Sequence, residues 1–324
     1  MLGVAVGLLV AIALVVGSRG DERTSPAAAA TAAERWGTLA RSTIARTEVA
    51  AARIGEGAWV VGGFAAPDGA TTDVVERYDV VLDRWARVAP IPRAVNHAAA
   101  VAYQGDLYVV GGYTATSGLS RETNALWRYD PGADRWTRLR GAPTARGALA
   151  AGVIGDRLYV AGGARGGRAL ATLEIYDFTR ERWSRGPAMR TAREHLAATA
   201  HRGALYVLAG RAGGLNNFRV AERYVPARRR WERLPAMRKA RGGIAAATVS
   251  GRIVVVGGEE SAGTIGEVES FDPRTRRWRN EAPLKTPRHG LGAFSYRGRI
   301  AAIEGGPRPG LAYSDAIEVL RIDG

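Results

Sequence analysis

Short runs of apolar, β-branched and aromatic residues, separated by polar and turn-forming residues, follow one another through most of the chain. Between residues 94 and 139 the successive runs are AVNHAAAVAY, DLYVVGG, ALWRYD and RWTRL. Runs of this length and composition, bounded by glycine, proline and aspartate, predict β-strands rather than helices. Four such runs joined by short turns predict one four-stranded antiparallel sheet in each unit.

A pair of small residues ends the second run of every unit and shows that the units are repeats. Successive pairs begin 49, 51, 47, 48 and 48 residues apart. The pairs are Gly62-Gly63, Gly111-Gly112, Gly162-Gly163, Ala209-Gly210, Gly257-Gly258 and Gly305-Gly306. An aromatic residue and, seven residues later, a tryptophan follow the first five pairs: Tyr78 and Trp85, Tyr129 and Trp136, Tyr176 and Trp183, Tyr224 and Trp231, Phe271 and Trp278. A period of this length indicates a repeat architecture.

Apolar runs that end in Gly-Gly and are followed by Tyr and Trp at this period resemble the kelch repeat, and the resemblance covers residues 35–324. It implies an all-β fold, a six-bladed β-propeller of four-stranded antiparallel blades. In such a fold the glycines allow a tight turn or a close backbone approach, and the Tyr and Trp side chains pack between neighbouring blades.

The last unit predicts how the ring closes. It has a third strand around Ile317–Leu320, but the chain ends before a following tryptophan strand. Near the N-terminus, Trp36 stands in the frame Glu-Arg-Trp, which recurs at Trp183, and no tyrosine precedes it by seven residues. We therefore expect the N-terminal strand around Trp36 to complete the last blade, which leaves no open sheet edge.

The first 34 residues differ from the repeats. Residues 1–18 carry no charge, and as a hydrophobic helix they would be about 27 Å long, close to the thickness of a bilayer core. A cleaved signal peptide and a retained membrane anchor both fit, and a buried core helix is the third alternative. Residues 19–34 are charged and then Ala-rich, as in a linker. The expected location of residues 35–324 is therefore extracytoplasmic, either membrane-anchored or secreted.

The amino-acid composition excludes several kinds of site. The 324 residues contain no cysteine, which excludes thiol nucleophiles, disulfides and thiolate metal sites. The net charge of +15 would suit a nucleic-acid partner, but the arginines are dispersed and only Lys239 and Lys285 are lysines. We therefore expect no nucleic-acid binding, and we expect a monomer.

The standard catalytic sequence motifs do not indicate an enzymatic activity. Phosphate-binding, nucleophile-elbow, HExxH and calcium-loop patterns are missing from the sequence. Galactose oxidase carries kelch-type blades, but its copper site needs a cysteine-modified tyrosine, so that activity does not carry over. His97, His195 and His289 begin alternate blades, which makes a shared axial metal conceivable. Their spacing to the turn glycines differs, and we predict no metal and no cofactor.

Repeated arginines are the candidate binding residues. Five stand ten residues after a tryptophan, and Arg93 is interpreted as a shifted sixth: Arg46, Arg93, Arg146, Arg193, Arg241 and Arg288. We expect them to ring the channel mouth on the face that carries the variable loops after Gly-Gly, where they could bind anions. The alternative is pairing with the glutamates two residues before each third-strand aromatic position. Blade two has Trp127 there, so Arg93 is expected to be free.

These features predict a propeller that binds a ligand or protein partner on its loop face, with an anionic small molecule or glycan among the candidates. In the kelch family this face commonly binds peptides or small molecules. An enzyme is the alternative, a cofactor-free carbohydrate isomerase, mutarotase or lyase, because related six-bladed kelch proteins act on sialic acid and because Arg, Glu and His could converge at the mouth. A structural scaffold is the third hypothesis, since fold alone does not specify function.

Overall fold

A computed structural model of the protein describes residues 35–324 and has six four-stranded antiparallel blades. The strands of each blade are given from the innermost outward. Blade one has Ala50–Ile54, Gly57–Val61, Val75–Asp79 and Arg84–Val88; blade two has Ala99–Tyr103, Asp106–Val110, Leu126–Asp130 and Arg135–Leu139; blade three has Ala150–Ile154, Arg157–Ala161, Leu173–Asp177 and Arg182–Arg185. Blade four has Ala197–His201, Ala204–Leu208, Ala221–Val225 and Arg230–Arg233; blade five has Gly242–Val249, Arg252–Glu260, Val268–Asp272 and Arg277–Glu281; blade six has Gly292–Tyr296, Arg299–Ile303, Ile317–Arg321 and Gly37–Leu39. The predicted hydrophobic helix and linker lie outside the described residues.

Other elements are short. The loops contain the two-residue strands Arg46–Thr47, Phe64–Ala65, Ala70–Thr71, Ala164–Arg165, Arg168–Ala169 and Gly263–Thr264, and a 3-10 turn spans Pro226–Arg228. Within residues 35–324, no helix is both long and apolar enough to cross a membrane.

Burial changes from strand to strand across a blade. The second strands are almost wholly buried, as in Gly57–Val61 and Ala204–Leu208, because neighbouring blades cover both of their faces. The outermost strands, such as Arg84–Val88, are largely exposed. The second strands therefore consist of continuous apolar runs, because both of their faces are buried between neighbouring blades. In the exposed fourth strands, charged residues flank the tryptophans.

A ring of backbone hydrogen bonds joins the six blades at the channel axis. Its six residues, which we call the axial ring, stand twelve residues after the six tryptophans in or directly before the fourth strands: Glu48, His97, Ala148, His195, Gly243 and Gly290. All six have left-handed backbone, with φ between 50° and 69°. The N–H group of each of the last five donates to the carbonyl oxygen of its predecessor at 2.9 to 3.0 Å, and Val49 N–H donates to the Gly290 carbonyl at 3.3 Å. The ring fixes the blades relative to one another where they begin.

The tryptophans join the blades near the periphery. Six of the eight tryptophans, those in or directly before the fourth strands, donate their indole N–H to a backbone carbonyl at the end of the preceding blade, at 2.7 to 2.9 Å. The acceptors for Trp36, Trp85, Trp136, Trp183, Trp231 and Trp278 are Ala282, Ala40, Ala89, Arg140, Pro187 and Pro235. Each of the five predicted Tyr or Phe side chains lies against its tryptophan, with ring centroids 5.0 to 5.3 Å apart. The aromatic spacing thus has a structural role in this chain.

The predicted closure is confirmed. Gly37–Leu39 pairs antiparallel with Ile317–Arg321 and forms the fourth strand of the sixth blade. Trp36 is only 1% exposed and packs in a core cluster with residues of the fifth and sixth blades, including Val256 and Leu320. The first and last segments of the described chain therefore share one blade, which holds the ring shut.

One detail of the repeat differs from the sequence interpretation. The left-handed pair that ends the second strand in the sixth blade is Glu304-Gly305, with φ of 55° and 91°, and not Gly305-Gly306. The N–H of Gly305 donates to the Arg46 carbonyl at 2.9 Å, as the second residue of each other pair does to the next blade. Matching the repeats by their glycines therefore places the sixth pair one residue too late, and the inter-blade hydrogen bond shows the correct position.

Closure can be tested by truncation. A chain without residues 1–18 should remain a monomeric, cooperatively folded propeller, whereas a chain without residues 1–40 should aggregate because it exposes the edge of Ile317–Arg321. Size-exclusion chromatography and thermal melts measure both properties. Equal folding of the two truncated chains would contradict the shared blade.

Candidate functional site

The predicted arginine ring is buried in the scaffold. Arg46, Arg146, Arg193, Arg241 and Arg288 are at most 1% exposed. Each forms an ion pair within its own blade, with N–O distances of 2.5 to 3.3 Å; the partners in the same order are Glu76, Glu174, Glu222, Glu269 and Glu318. The arginines therefore have the paired arrangement that is the alternative prediction from the sequence, and the five guanidinium groups are not exposed at the loop face.

The same arginines also bind backbone carbonyl groups. Arg146 donates through Nε to the Gly162 carbonyl at 2.8 Å and through Nη2 to the Val160 carbonyl at 3.2 Å. Arg241 likewise donates to the Gly257 and Glu267 carbonyls. The side chain thus satisfies carbonyl groups where the second strand leaves the sheet, which would otherwise be buried without a partner.

These five buried arginine–glutamate pairs, one in each blade except blade two, are called the ladder. Arg93 is not its sixth member. The residue ten positions after Trp85 is Val95, which is 4% exposed and packs in one apolar cluster with Trp127. An apolar pair thus replaces the Arg-Glu pair of the other blades. Arg93 is exposed and makes no side-chain hydrogen bond or ion pair within residues 35–324, as expected, but it stands outside the inner strand.

Two carboxylates share the guanidinium of Arg46. Its Nη2 atom lies 2.7 Å from Glu76 Oε2 and 2.8 Å from Glu304 Oε1, and all three side chains are fully buried. Burial, opposed by the charge of Arg46 and assisted by that of Glu76, raises the pKa of Glu304 to about 7. Because one guanidinium faces two buried carboxylates, the neutral, protonated form of Glu304 is favoured as the pH falls.

The ladder predicts which arginines are structural. Arg146→Ala should lower the free energy of unfolding by about 3 to 5 kcal/mol because it leaves Glu174 buried and unpaired. Arg93→Ala should change it by less than about 0.5 kcal/mol. The double variant R146V/E174W, which copies blade two, should be more stable than Arg146→Ala alone. Urea unfolding measures all three, and equal effects of the two single changes would refute the ladder.

Glu304 predicts a pH-dependent stability. Its folded pKa of about 7 lies above the ordinary 4.5, so its contribution is complete below pH 4.5 and is lost as the pH rises through 7. Glu304→Gln should keep the neutral form, and its advantage over the wild type should grow by about 3 kcal/mol from pH 4.5 to 7. Chemical unfolding at several pH values measures this difference. The exposed Glu56→Gln is the control, and a constant difference for both variants would contradict the assignment.

Ionisable side chains do meet at the channel mouth, but they belong to the axial ring and its neighbours. Glu48 lies between two histidines: its Oε2 is 3.1 Å from His97 Nε2, and its Oε1 is 3.2 Å from His289 Nδ1. The His97 and His195 rings meet edge to face with centroids 4.8 Å apart. Ala148 separates these histidines along the ring, and its small side chain leaves room for the contact.

Gly290 makes the close approach of Glu48 possible. Its φ is +60°, and a Cβ atom there would lie 2.6 Å from the Glu48 carboxylate. The glycines of the axial ring thus provide the space that the acidic and imidazole side chains occupy.

A second group of charges extends the cluster toward the loops. Arg211 Nη1 lies 2.6 Å from Glu259 Oε1, and Arg211 Nε lies 3.2 Å from Glu194 Oε1. Glu194 also contacts His195 Nδ1 through its other oxygen. The predicted convergence of Arg, Glu and His at the mouth therefore occurs, but it uses Arg211 instead of the repeated arginines.

The surroundings shift the titration of this cluster in opposite directions. Burial lowers the pKa of His97 and takes that of His195 well below its ordinary value. Burial also lowers the pKa of His289, but the hydrogen bond with Glu48 and the charges of Glu48 and Glu259 outweigh it, so the pKa is raised. Burial raises the pKa of Glu48, yet the neighbouring histidines bring it below its usual value.

Cavities lie above this cluster. One of about 220 Å³ contains Glu48, His97, His195 and His289, and an adjoining one of about 420 Å³ contains Glu194, Arg211 and Glu259. Three leucines on the loops of blades two, four and six line them: Leu119, Leu215 and Leu311, with exposures of 50%, 42% and 58%. The mouth is therefore a polar floor with an exposed apolar rim.

Family comparisons match these repeats. The model of the KLHDC2/KLHL20/DRC7 Kelch-repeats domain matches residues 48–240, and the Kelch motif matches residues 240–285. The chain belongs to the kelch-repeat family. Kelch-like protein terF of Aspergillus terreus is 37% identical over 144 residues, 40% of this chain and 30% of terF. Kelch-like protein 35 of Mus musculus is 39% identical over 106 residues, 32% of this chain and 17% of that protein.

A solved structure supports the same kelch fold. YjhT superposes with a TM-score of 0.74 at 15% identity, over 87% of this chain and 97% of YjhT. The curated relatives, in contrast, match over less than a third of their own length. The comparisons thus identify the repeat and the propeller fold.

Proposed function

We propose that this kelch propeller is a binding module whose loop face takes up a segment of a protein partner. The observation that supports this most directly is the arrangement of Leu119, Leu215 and Leu311 around a polar floor. Clustered exposed apolar side chains, rimmed by polar groups, are typical of interaction sites, whereas single exposed leucines are common everywhere. The three loops come from alternate blades, so the apolar rim surrounds the channel axis.

The floor gives the proposed partner a second property. Glu48, Glu194 and Glu259 face Arg211 and His289 there, so ion pairs neutralise most of the charge and one carboxylate is in excess. The proposed segment therefore carries apolar side chains for the rim and a hydrogen-bonding group for the floor. A preference for anions is not included, because the five ladder arginines are paired and buried.

The proposed location is extracytoplasmic, with tethering through residues 1–18 if they are retained. This part of the proposal rests on the uncharged apolar run and the following linker in the sequence.

A second candidate is an acid-base enzyme acting on a polar small molecule such as a carbohydrate. The observation in its favour is the convergence of Glu48, His97 and His289 at the bottom of a 220 Å³ cavity. Carboxylate and imidazole groups in one cavity are the usual groups of proton transfer. Turnover of sugar acids or other sugars that is abolished by Glu48→Gln would favour this candidate over the binding module.

The binding proposal can be tested with a displayed library of random peptides selected on the wild-type chain. Selected peptides should bind the variant L119S/L215S/L311S at least roughly tenfold more weakly, because it removes the apolar rim. The control is V81S/L82S, which changes two exposed aliphatic side chains, 52% and 56% exposed, on a hairpin at the opposite face. Fluorescence anisotropy measures the affinities. No enrichment, or equal binding by both variants, would contradict the module and favour a scaffold.

A further inference from the structure

We propose that Glu48, His97 and His195 bind a divalent transition-metal ion such as Zn²⁺ at the centre of the axial ring. The three residues come from blades one, two and four, and their donor atoms all lie within 4.8 Å of one another. Two imidazoles and one carboxylate are the protein ligands of many zinc sites that keep an open position. Neighbouring ligands of tetrahedral zinc are about 3.4 Å apart for bonds of about 2.1 Å, so small side-chain rotations close this set.

A chain of hydrogen bonds fixes which nitrogen of His97 is free. The Thr71 hydroxyl donates to the Ala115 carbonyl at 2.6 Å, so its oxygen accepts from Asn96 Nδ2 at 2.8 Å. Asn96 Oδ1 must then face His97 Nδ1, 2.6 Å away, and that nitrogen carries the proton. The Nε2 lone pair of neutral His97 therefore points at Glu48 Oε2. Two acceptors 3.1 Å apart are held together either by a second proton on His97 Nε2 or by a metal ion that binds both atoms, and burial disfavours the doubly protonated imidazole.

His195 is prepared in the same way. Its Nδ1 contacts Glu194, which is itself held by Arg211. Its Nε2 makes no hydrogen bond within residues 35–324 and is the remaining donor. Metal-ligating histidines characteristically donate their other ring N–H to a carboxylate or another acceptor, which fixes the tautomer and the ring orientation. Asn96 and Glu194 provide this second contact for the two histidines.

The third ligand is positioned by His289. Its Nε2 lies 3.0 Å from the carbonyl oxygens of Arg308 and Gly310, so it donates there, and its Nδ1 faces Glu48 Oε1. This contact holds one carboxylate oxygen and leaves the other, Oε2, beside His97. His289 is thus a positioning residue. It precedes the axial residue Gly290, whereas His97 and His195 are themselves members of the axial ring.

The open coordination position would face the 220 Å³ cavity beneath the leucine rim. A bound ion could therefore take its fourth ligand from water or from a group that enters through the mouth. The metal site does not depend on the proposed peptide binding, because all three ligands belong to the chain itself.

The site can be tested by titrating the full-length, histidine-tag-free chain in detergent with zinc chloride after removal of metal by a chelator. Isothermal titration calorimetry should show one ion per chain, and cobalt chloride should give the visible absorption of a four-coordinate ion. His97→Asn and His195→Asn should each weaken zinc binding roughly 100-fold or more, since each removes one of three ligands. Asparagine tolerates the left-handed backbone at these positions, where φ is 52° and 50°.

Two further variants separate the site from adventitious binding. Asn96→Ala leaves the ligands in place but removes the contact that orients His97, and should weaken zinc binding about 10- to 100-fold. His201→Asn changes the fourth histidine, at the other end of an inner strand, and should bind zinc as the wild type does. Thermal melts establish that each variant is folded. Absence of zinc uptake by the wild type, or unchanged affinity in His97→Asn and His195→Asn, would overturn the proposal.

Discussion

The ring of backbone hydrogen bonds at the channel axis is the constraint on which the rest of this propeller depends. Five axial residues donate to their counterparts in the preceding blade, Val49 closes the ring in place of Glu48, and all six axial positions have left-handed backbone. Glycine adopts this conformation most readily, yet only Gly243 and Gly290 are glycines. Glu48, His97 and His195 occupy strained positions next to a cavity, which is where functional residues often occur.

Buried ion pairs complete the blades from within. Five arginines connect the start of the inner strand to a glutamate on the third strand and to nearby carbonyl groups. Such a pair is costly to break but not obviously better than an apolar pair, and blade two shows the substitution within one molecule through Val95 and Trp127. We infer that the ladder fixes strand position more than it adds stability.

The mouth combines parts with separate origins. The ladder and the axial ring provide a rigid base, and the loops, which differ in length and sequence, place leucines above it. A rigid scaffold that carries variable loops is a common arrangement for recognition. The acid-base and metal chemistry proposed for the floor depends on the scaffold, whereas partner selection would depend on the loops.

The sequence by itself determined the period, the number of blades, the strand order and the closing role of Trp36, because strand alternation, turn residues and aromatic spacing are local and repeat at fixed intervals. It also contains the histidines, and the glutamates that could pair with the arginines, at recognisable positions.

Only the tertiary structure decided that five arginines are paired, that Val95 takes the sixth position, and that Glu304 stands in a glycine position. It alone brought Glu48, His195 and Arg211 together, although the offset of twelve residues from the six repeated tryptophans marks the axial ring in the sequence. The physical reason is that pairing, burial and metal-ligand geometry depend on distances across the channel between blades about 50 to 250 residues apart, which no local pattern encodes.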